Sequence, residues 1–467
     1  MPLARRRRLS RRRLLQTAAR IAAVGPMFKL AEENGHAQAG RATSINRNSA
    51  PSQLKITDIR AIRIASSADY PIIRIDTNQG VYGLGEVRDA GVEGMALILK
   101  PHLVGRNPLQ IEPNLDRVRK FTNHYRFGGG YSAVDIAMHD IAGKVYGVPC
   151  HRMLGSQYRD RVRMYCDTPQ TQEPKRFAER LLRRKQMGYT FFKMDLGTSL
   201  VRNIPGAVMD RGVATEKGLK LLCEYVQVVR DTIGWDVPIA ADHFGNLDVN
   251  DSILYARALE PYRLAWLEDI LQVGTLAYGY GDAPLNWMAY KEIKEATTSP
   301  IAMGESLFGL EEGFRPFIEN RAVDIIHPDP LSSGGMRETK RIADFASLYG
   351  IPTAIHFAGS PVAAMAVVHM ISTLKHFVAM ENHAVDIPWW QDLVNGPAKP
   401  IVDKGYIRVP EAPGLGVELN EEVVKEHLRI PGYFEPTPQY DKYIVDDYRL
   451  GGPYPHLDED GKPVISQ

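Results

Sequence analysis

Seven short apolar runs in the sequence end in, or just before, a side chain that can act as an acid, a base or a metal ligand. In chain order these side chains are Lys193 with Asp195, Asp242, Glu268, Glu305, Asp329, His356 and Glu381. A single carboxylate in such a place most often caps the next helix. Independent caps would vary between Ser, Thr, Asn and Asp, whereas three consecutive runs here give Asp, Glu and Glu. The joint pattern therefore favours one shared chemical site.

Asp242, Glu268 and Glu305 are the acidic part of this pattern. The sequence shows no set of Cys or His ligands near them, so together they would form a metal site with only oxygen ligands, which hard cations prefer. Mg²⁺ prefers such ligands, with water and substrate oxygens completing its octahedron. The three carboxylates therefore predict a magnesium site.

The runs themselves are typical of short buried β-strands, each followed by a helical pattern. They are VRMYCD (162–167), TFFKMD (190–195), PIAAD (238–242), LAWLED (264–269), PIAMGE (300–305), DIIHPD (324–329), PTAIH (352–356) and FVAMEN (377–382). Eight strands alternating with helices indicate a closed parallel barrel, which collects its strand C-termini at one mouth. Zinc hydrolases on such a barrel carry His-x-His at the first strand, where this chain has Tyr165-Cys166-Asp167, so zinc is disfavoured.

The region before the barrel has a different pattern. The tracts LKITDIRAIRI and YPIIRIDTNQGVYGLGE predict a small antiparallel sheet, and SAVDIAMHDIAGKVYG predicts a helix that ends at Gly147. We expect an α/β protein: a (β/α)₈-type barrel with an α+β capping domain formed by the N-terminal region and the C-terminal tail. The expected boundaries are 54–155 for the N-terminal part of the capping domain, 156–405 for the barrel and 406–467 for a C-terminal segment that packs on the capping domain.

Taken together, these tracts resemble the enolase superfamily, mandelate racemase subgroup, over roughly residues 54 to 430. The tracts that carry the resemblance are VYGLGE, SAVDIAMHDIAGKVYGVPCHRMLG, FFKMDLG, AADHFG, AWLED, MGES, IIHPDPLSSGG, AIHFAGS and AMEN. The resemblance implies that Asp242, Glu268 and Glu305 bind Mg²⁺. It also implies that Asp329 and His356 form a dyad and that Glu381 hydrogen-bonds the substrate carboxylate.

The second strand departs from the two-base members of this family. Those members carry Lys-x-Lys there, whereas this chain has Lys193-Met194-Asp195. Lys193 and Asp195 share the inward face by strand periodicity. Lys193 can neutralise the substrate carboxylate, but the position of the usual second base holds a carboxylate. One-base chemistry through His356 is therefore favoured over two-base racemisation.

Removal of the α-proton by one base fits β-elimination of water from a sugar acid, which gives a 2-keto-3-deoxy acid. The acid for the leaving hydroxyl is either His356 itself or another residue, for which His243 is a candidate. His383, two residues past Glu381, and Arg126 are candidates for substrate contact. We expect the substrate hydroxyls to be recognised by the loops 66–70 and 87–94, together with the tract His124-Tyr125-Arg126. An epimerase, racemase or cycloisomerase of a carboxylic acid is the alternative, and a non-catalytic binding protein for carbohydrate acids is disfavoured by the intact set of reactive residues.

Charge is unevenly distributed along the chain. Residues 1–39 hold eight Arg and one Lys against two Glu, so this segment carries +7 and the remainder −5 of the net charge of +2. The acidic body argues against a nucleic-acid partner, and the sequence has no apolar run long enough to span a membrane. We expect a small-molecule substrate and a homo-oligomer.

The basic segment 1–39 looks like an export signal. Ser10-Arg11-Arg12-Arg13-Leu14-Leu15 resembles a twin-arginine motif, and Ala37-Gln38-Ala39 is a small-x-small cleavage pattern. Residues 40–53 would then be a linker. We expect export to the periplasm, with a disordered basic tail on a cytoplasmic enzyme as the alternative.

Overall fold

The computed structural model describes residues 50–66, 69–89, 91–122, 128–245, 247–271 and 286–435. Among these residues no helix is long and apolar enough to cross a membrane. The predicted export signal and most of the predicted linker lie outside the described residues, as do His124, Tyr125 and Arg126.

The N-terminal part is a three-stranded antiparallel sheet packed on a helical layer. Its strands are β1 (Ile56–Ile64), β2 (Tyr70–Thr77) and β3 (Tyr82–Glu86), in that spatial order. The described residues that follow form five helices: α1 (Gly94–Leu97), α2 (Lys100–Leu103), α3 (Ile111–Arg119), α4 (Gly129–Tyr146) and α5 (His151–Leu154). This is the α+β unit that the sequence predicts.

Helix α4 is the centre of this unit and is buried along most of its length. Strand β3 crosses it so closely that a Cβ atom at Gly83 or Gly85 would lie 2.0 Å from the carbonyl oxygen of Ala137 or Ala133. Only glycine fits such an approach of two backbones. The pair of glycines therefore fixes the path of β3, whose end leads directly to the barrel mouth.

The described residues contain a closed barrel of eight parallel strands. They are β4 (Arg161–Cys166), β5 (Phe192–Asp195), β6 (Ile239–Asp242), β7 (Leu267–Glu268), β8 (Ile301–Met303), β9 (Ile325–Ile326), β10 (Thr353–Ile355) and β11 (Phe377–Asn382). Pairing of β11 with β4, with Glu381 opposite Tyr165, closes the barrel. Each strand overlaps one of the eight predicted runs, so the predicted barrel is confirmed.

The helices between these strands form the outer layer. They are α6 (Pro174–Gln186), α7 (Glu216–Ile233), α8 (Val249–Leu259), α9 (Trp287–Glu295), α10 (Arg315–Glu319), α11 (Gly335–Leu348) and α12 (Pro361–Ser372). Side chains of alternate strand residues, such as Phe192 and Met194, pack between strands and helices. The side chains on the other face of the strands, such as Phe191 and Trp266, fill the barrel interior.

The C-terminal segment returns to the capping domain. It contains the short strands β12 (Val394–Asn395), β13 (Val402–Asp403), β14 (Tyr406–Arg408) and β15 (Glu418–Leu419), and helix α13 (Glu421–Glu426). The hydroxyl of Tyr82 donates to Glu418 at 2.6 Å, and the amide of Arg429 donates to the carbonyl of Arg63 at 2.7 Å. The described part of the tail thus contributes to the capping domain.

Candidate active site

Strand periodicity brings the reactive side chains to one end of the barrel interior. Phe191, Ala240, Trp266, Ala354 and Ala379 belong to the interior core cluster. Because successive side chains alternate between the two faces of a strand, the residue two positions later faces the same interior, one layer nearer the mouth. The residues placed this way are Lys193, Asp242, Glu268, His356 and Glu381.

The three predicted metal ligands meet at this mouth. One carboxylate oxygen from each of Asp242, Glu268 and Glu305 lies within 4.8 Å of the others. Burial and the charge of Glu268 raise the pKa of Asp242. Burial also acts to raise the pKa of Glu268, but His327 and Lys193 outweigh it and lower that pKa to about 2. Such crowded carboxylates need a compensating cation.

The excess of negative charge fits a divalent cation. Lys193 is buried, and its Nζ lies 3.0 Å from Asp242, 3.3 Å from Glu268 and 2.7 Å from Glu381. These carboxylates outweigh burial and raise the lysine pKa well above its usual value. One ammonium group cannot balance three carboxylates, so an all-oxygen set of Asp242, Glu268 and Glu305 suits Mg²⁺.

His356 and Asp329 form the predicted pair. Nδ1 of His356 lies 2.7 Å from Oδ2 of Asp329, and the other oxygen of Asp329 accepts the amide of Leu331 at 2.6 Å. This fixes Nε2 of His356 toward the mouth, 3.0 Å from Glu305 and 3.8 Å from Glu381. Burial lowers the pKa of His356, but the charges of Glu305 and Glu381 outweigh it, so the pKa is raised.

Arg88 is a buried contact to this dyad that the sequence reasoning missed. It follows β3 in the capping domain and is 1% exposed. Its Nε lies 3.4 Å from Asp329, its Nη2 lies 3.2 Å from Glu305, and its Nη1 donates to Ser332 at 3.1 Å. The signal that the sequence offers is its place in the loop 87–94, where recognition of the substrate hydroxyls is expected.

A second histidine, His383, faces the same space. Its Nδ1 lies 3.2 Å from Asp167, and its Nε2 lies 3.1 Å from Oε1 of Glu381. The ring centroids of His356 and His383 are 5.9 Å apart. No role was assigned to Asp167 from the sequence, although it ends the first strand run, VRMYCD, in the same way as the other reactive residues end theirs.

Asp195 and His243 stand beside the carboxylate cluster. Burial and the charge of Asp167 raise the pKa of Asp195 to about 7. Nε2 of His243 is 3.9 Å from Asp195 and 3.7 Å from Asp242. The side chain of His243 is 64% exposed, so it lies at the open side of the mouth and not in the helix layer.

Below the mouth, a chain of polar contacts holds Glu268. The hydroxyl of Tyr165 is 2.7 Å from Nε2 of His327, whose Nδ1 is 3.0 Å from Oε1 of Glu268. The indole of Trp266 donates to the other oxygen of Glu268 at 3.0 Å. These contacts give His327 a structural role, because it holds a carboxylate of the metal-ligand set from beneath.

Comparison with known proteins agrees with this fold. The family model described as mandelate racemase / muconate lactonizing enzyme, N-terminal domain, matches residues 43–155, and the model described as enolase C-terminal domain-like matches residues 176–423. D-xylonate dehydratase of Haloferax volcanii is 33% identical over 387 residues, which cover 80% of this chain and 89% of that protein.

Solved structures give the same result. A mandelate racemase/muconate lactonizing enzyme-like protein from Rubrobacter xylanophilus is 29% identical, with a TM-score of 0.73, and covers 82% of this chain and 99% of its own. An enolase from Pantoea ananatis with bound D-gluconate and Mg is 26% identical, with a TM-score of 0.67, and covers 82% of this chain and 96% of its own.

Proposed function

Because the chain belongs to the mandelate racemase/muconate lactonizing enzyme family of the enolase superfamily, we propose that it is a Mg²⁺-dependent dehydratase of sugar acids. The named relatives support the reaction class: one is a D-xylonate dehydratase, and another binds D-gluconate and Mg. Xylonate and gluconate are both polyhydroxy carboxylates, so the shared feature is a carboxylate beside a hydroxylated carbon chain.

One observation favours dehydration over two-base isomerisation. Lys193 is paired with three buried carboxylates, which keep it protonated, and Asp195 occupies the position of the second basic residue. His356 is then the base on one face of the substrate. A racemase or epimerase that exchanges protons between two faces needs a second base, and this site offers a fixed cation and a carboxylate there.

The substrate carboxylate would bind beside Lys193, whose ammonium group offsets its charge. Mg²⁺ held by Asp242, Glu268 and Glu305 would stabilise the negative charge that develops on the substrate carboxylate when the α-proton leaves. Nε2 of His356 would take that proton. Asp329 accepts the hydrogen bond from Nδ1 of His356, which fixes the tautomer and favours the imidazolium once it forms.

Arg88 would hold the dyad in place from the capping domain. Its guanidinium contacts Asp329 and Glu305, so it neutralises part of their charge and restricts their movement. It would also help to close the mouth, because Arg88 is almost fully buried between the two domains. Excluding water strengthens the electrostatic interactions within such a site.

The test is a screen of five- and six-carbon sugar acids with MgCl₂, with product detection as a 2-keto-3-deoxy acid. We expect turnover on at least one of these acids, loss of turnover with EDTA and recovery with added Mg²⁺. His356→Asn is the matched inactive protein. Metal-independent turnover, or a product that keeps every hydroxyl group of the substrate, would overturn the proposal.

A further inference from the structure

The barrel mouth holds a second histidine–aspartate pair on the two strands that close the barrel. Asn382, the last residue of β11, is opposite Cys166, the last residue of β4, and the residues that follow them are His383 and Asp167. Their side chains meet at 3.2 Å. The pair has the same form as His356 with Asp329: a carboxylate contacts Nδ1 and leaves Nε2 directed toward the site.

The two histidines face one shared space. Nε2 of His383 lies 3.1 Å from Oε1 of Glu381, and Nε2 of His356 lies 3.8 Å from Oε2 of the same carboxylate. Their ring centroids are 5.9 Å apart, with 51° between the ring planes. In a sugar acid the α-proton and the β-oxygen are only three bonds apart, so two imidazoles at this spacing can reach both.

His383 carries a proton that it can give away. Burial lowers the pKa of His383, whereas Glu381 and Asp167 raise it more, and the resulting pKa is about 10. Lys193 acts in the opposite direction, but less strongly. The side chain is 35% exposed at the mouth, so solvent can return the proton after each turnover. At neutral pH His383 is therefore an imidazolium.

We propose that His383, oriented by Asp167, is the general acid that protonates the departing β-hydroxyl, while His356 is the base. This inference rests on the proposed dehydratase function. His356 takes the α-proton, and the electron pair of that C–H bond moves into the substrate carboxylate, which becomes an enediolate. This electron pair then forms the double bond between the α- and β-carbons as the β-carbon–oxygen bond breaks. That oxygen receives the proton of His383 and leaves as water. The resulting enol then becomes the 2-keto acid by moving its proton from oxygen to carbon 3.

The substitution His383→Asn distinguishes two possible roles of His383: protonating the leaving hydroxyl and positioning the substrate. The Asn amide can still donate to Asp167 from the position of Nδ1, but the proton donor at Nε2 is lost. Two substrates are compared: the sugar acid found by the screen and its 3-deoxy-3-fluoro analogue. Fluoride leaves without a proton, so its elimination needs only the base.

We expect His383→Asn to lower elimination of water by about 10²–10⁴-fold, as for loss of a positioned general acid. Elimination of fluoride and exchange of the α-proton in D₂O should stay within about tenfold of the unaltered enzyme. Asp167→Asn should lower kcat for elimination of water with little change in KM or in elimination of fluoride. The matched control is His376→Asn, since His376 is an exposed histidine just before β11, and it should change neither rate.

Equal losses of both eliminations in His383→Asn would overturn the assignment, because His383 would then place the substrate. No loss of either would also overturn it and would leave the proton transfer to another group. Fluoride elimination itself reports that the variant is folded, and His383→Gln provides a second variant that should show the same selective loss. If the unaltered enzyme gives no 2-keto acid from any sugar acid, the proposed function itself has failed, and this is seen before any variant is made.

Discussion

Lys193 and Asp195 share the inward face of β5 and yet bring different charges to the site. Lys193 is surrounded by carboxylates, which hold its pKa well above the usual value, so it stays protonated. Burial and the charge of Asp167 raise the pKa of Asp195 to about 7. The pair therefore provides a fixed cation and a carboxylate in the place where two-base relatives have two lysines.

The metal-ligand set can be tested by removing one of its carboxylates. Asp242→Asn removes one negative charge and one strong ligand oxygen, so we expect the affinity for Mg²⁺ to fall about tenfold or more, which corresponds to about 1.4 kcal/mol of binding free energy. Isothermal titration calorimetry with MgCl₂ measures this directly, without substrate.

The control for that measurement is Asp403→Asn, which removes an exposed aspartate on β13 at the other end of the barrel sheet. Equal Mg²⁺ affinity in the two variants would show that Asp242 is not a metal ligand.

At the scale of elements, the barrel could be predicted because each strand is a short apolar run ending in a polar residue. That pattern predicted the positions of all eight strands. Because side chains alternate between the two faces of a strand, it also predicted which residues face inward, such as Lys193, Asp242 and His356. The contacts of Arg88 and the pairing of Asp167 with His383 could not be predicted. Both depend on side-chain contacts between residues far apart in sequence, and no local pattern records such contacts.

Glu86, at the end of β3, joins the capping domain to helix α12. One carboxylate oxygen accepts the amide of Ser360 at 2.9 Å, and the other accepts the hydroxyl of the same residue. Complete burial raises the pKa of Glu86 to about 8, against 4.5 as its usual value. The buried carboxyl group is thus held in its protonated form at acidic and neutral pH.

This shift predicts how stability changes with pH. Since the pKa of Glu86 is higher in the folded chain than in the unfolded chain, its contribution is fully present below about pH 4.5 and is lost as the pH rises to about 8. We expect that the free energy of unfolding of Glu86→Gln will lack the part of the decrease between pH 4.5 and pH 8 that is due to Glu86. Urea unfolding of both proteins at pH 5 and pH 8 measures it, and an unchanged difference between the two proteins at both pH values would contradict the assignment.

The capping domain reaches the barrel mouth at several points. Glu86 accepts hydrogen bonds from Ser360 at the start of α12, and Arg88 contacts the dyad of His356 and Asp329. The C-terminal segment adds contacts to β1 and β3. The mouth is therefore built by both domains, which explains why a motif confined to the barrel strands accounts for only part of the site.

Export is a separate prediction for the whole chain, and its residues lie outside the described ones. We propose that the twin-arginine motif directs the folded protein to the periplasm, with cleavage after Ala39. Arg11→Lys combined with Arg12→Lys should retain the full-length chain in the cytoplasm, as detected by immunoblotting of cell fractions. Cytoplasmic full-length protein with the unaltered sequence, and no effect of the two substitutions, would contradict it.

We propose that one base, His356, removes the α-proton on the way to loss of water. Proton NMR of a sugar-acid substrate and its product in D₂O, with the unaltered enzyme, His356→Asn and Asp195→Asn, tests it most directly. We predict formation of the 2-keto-3-deoxy acid without inversion of recovered substrate, loss of turnover and α-proton exchange by about 10²–10⁴-fold or more in His356→Asn, and a smaller loss in Asp195→Asn. Efficient inversion at the α-carbon by the unaltered enzyme, with no 2-keto product, would contradict the claim and identify a two-base isomerase.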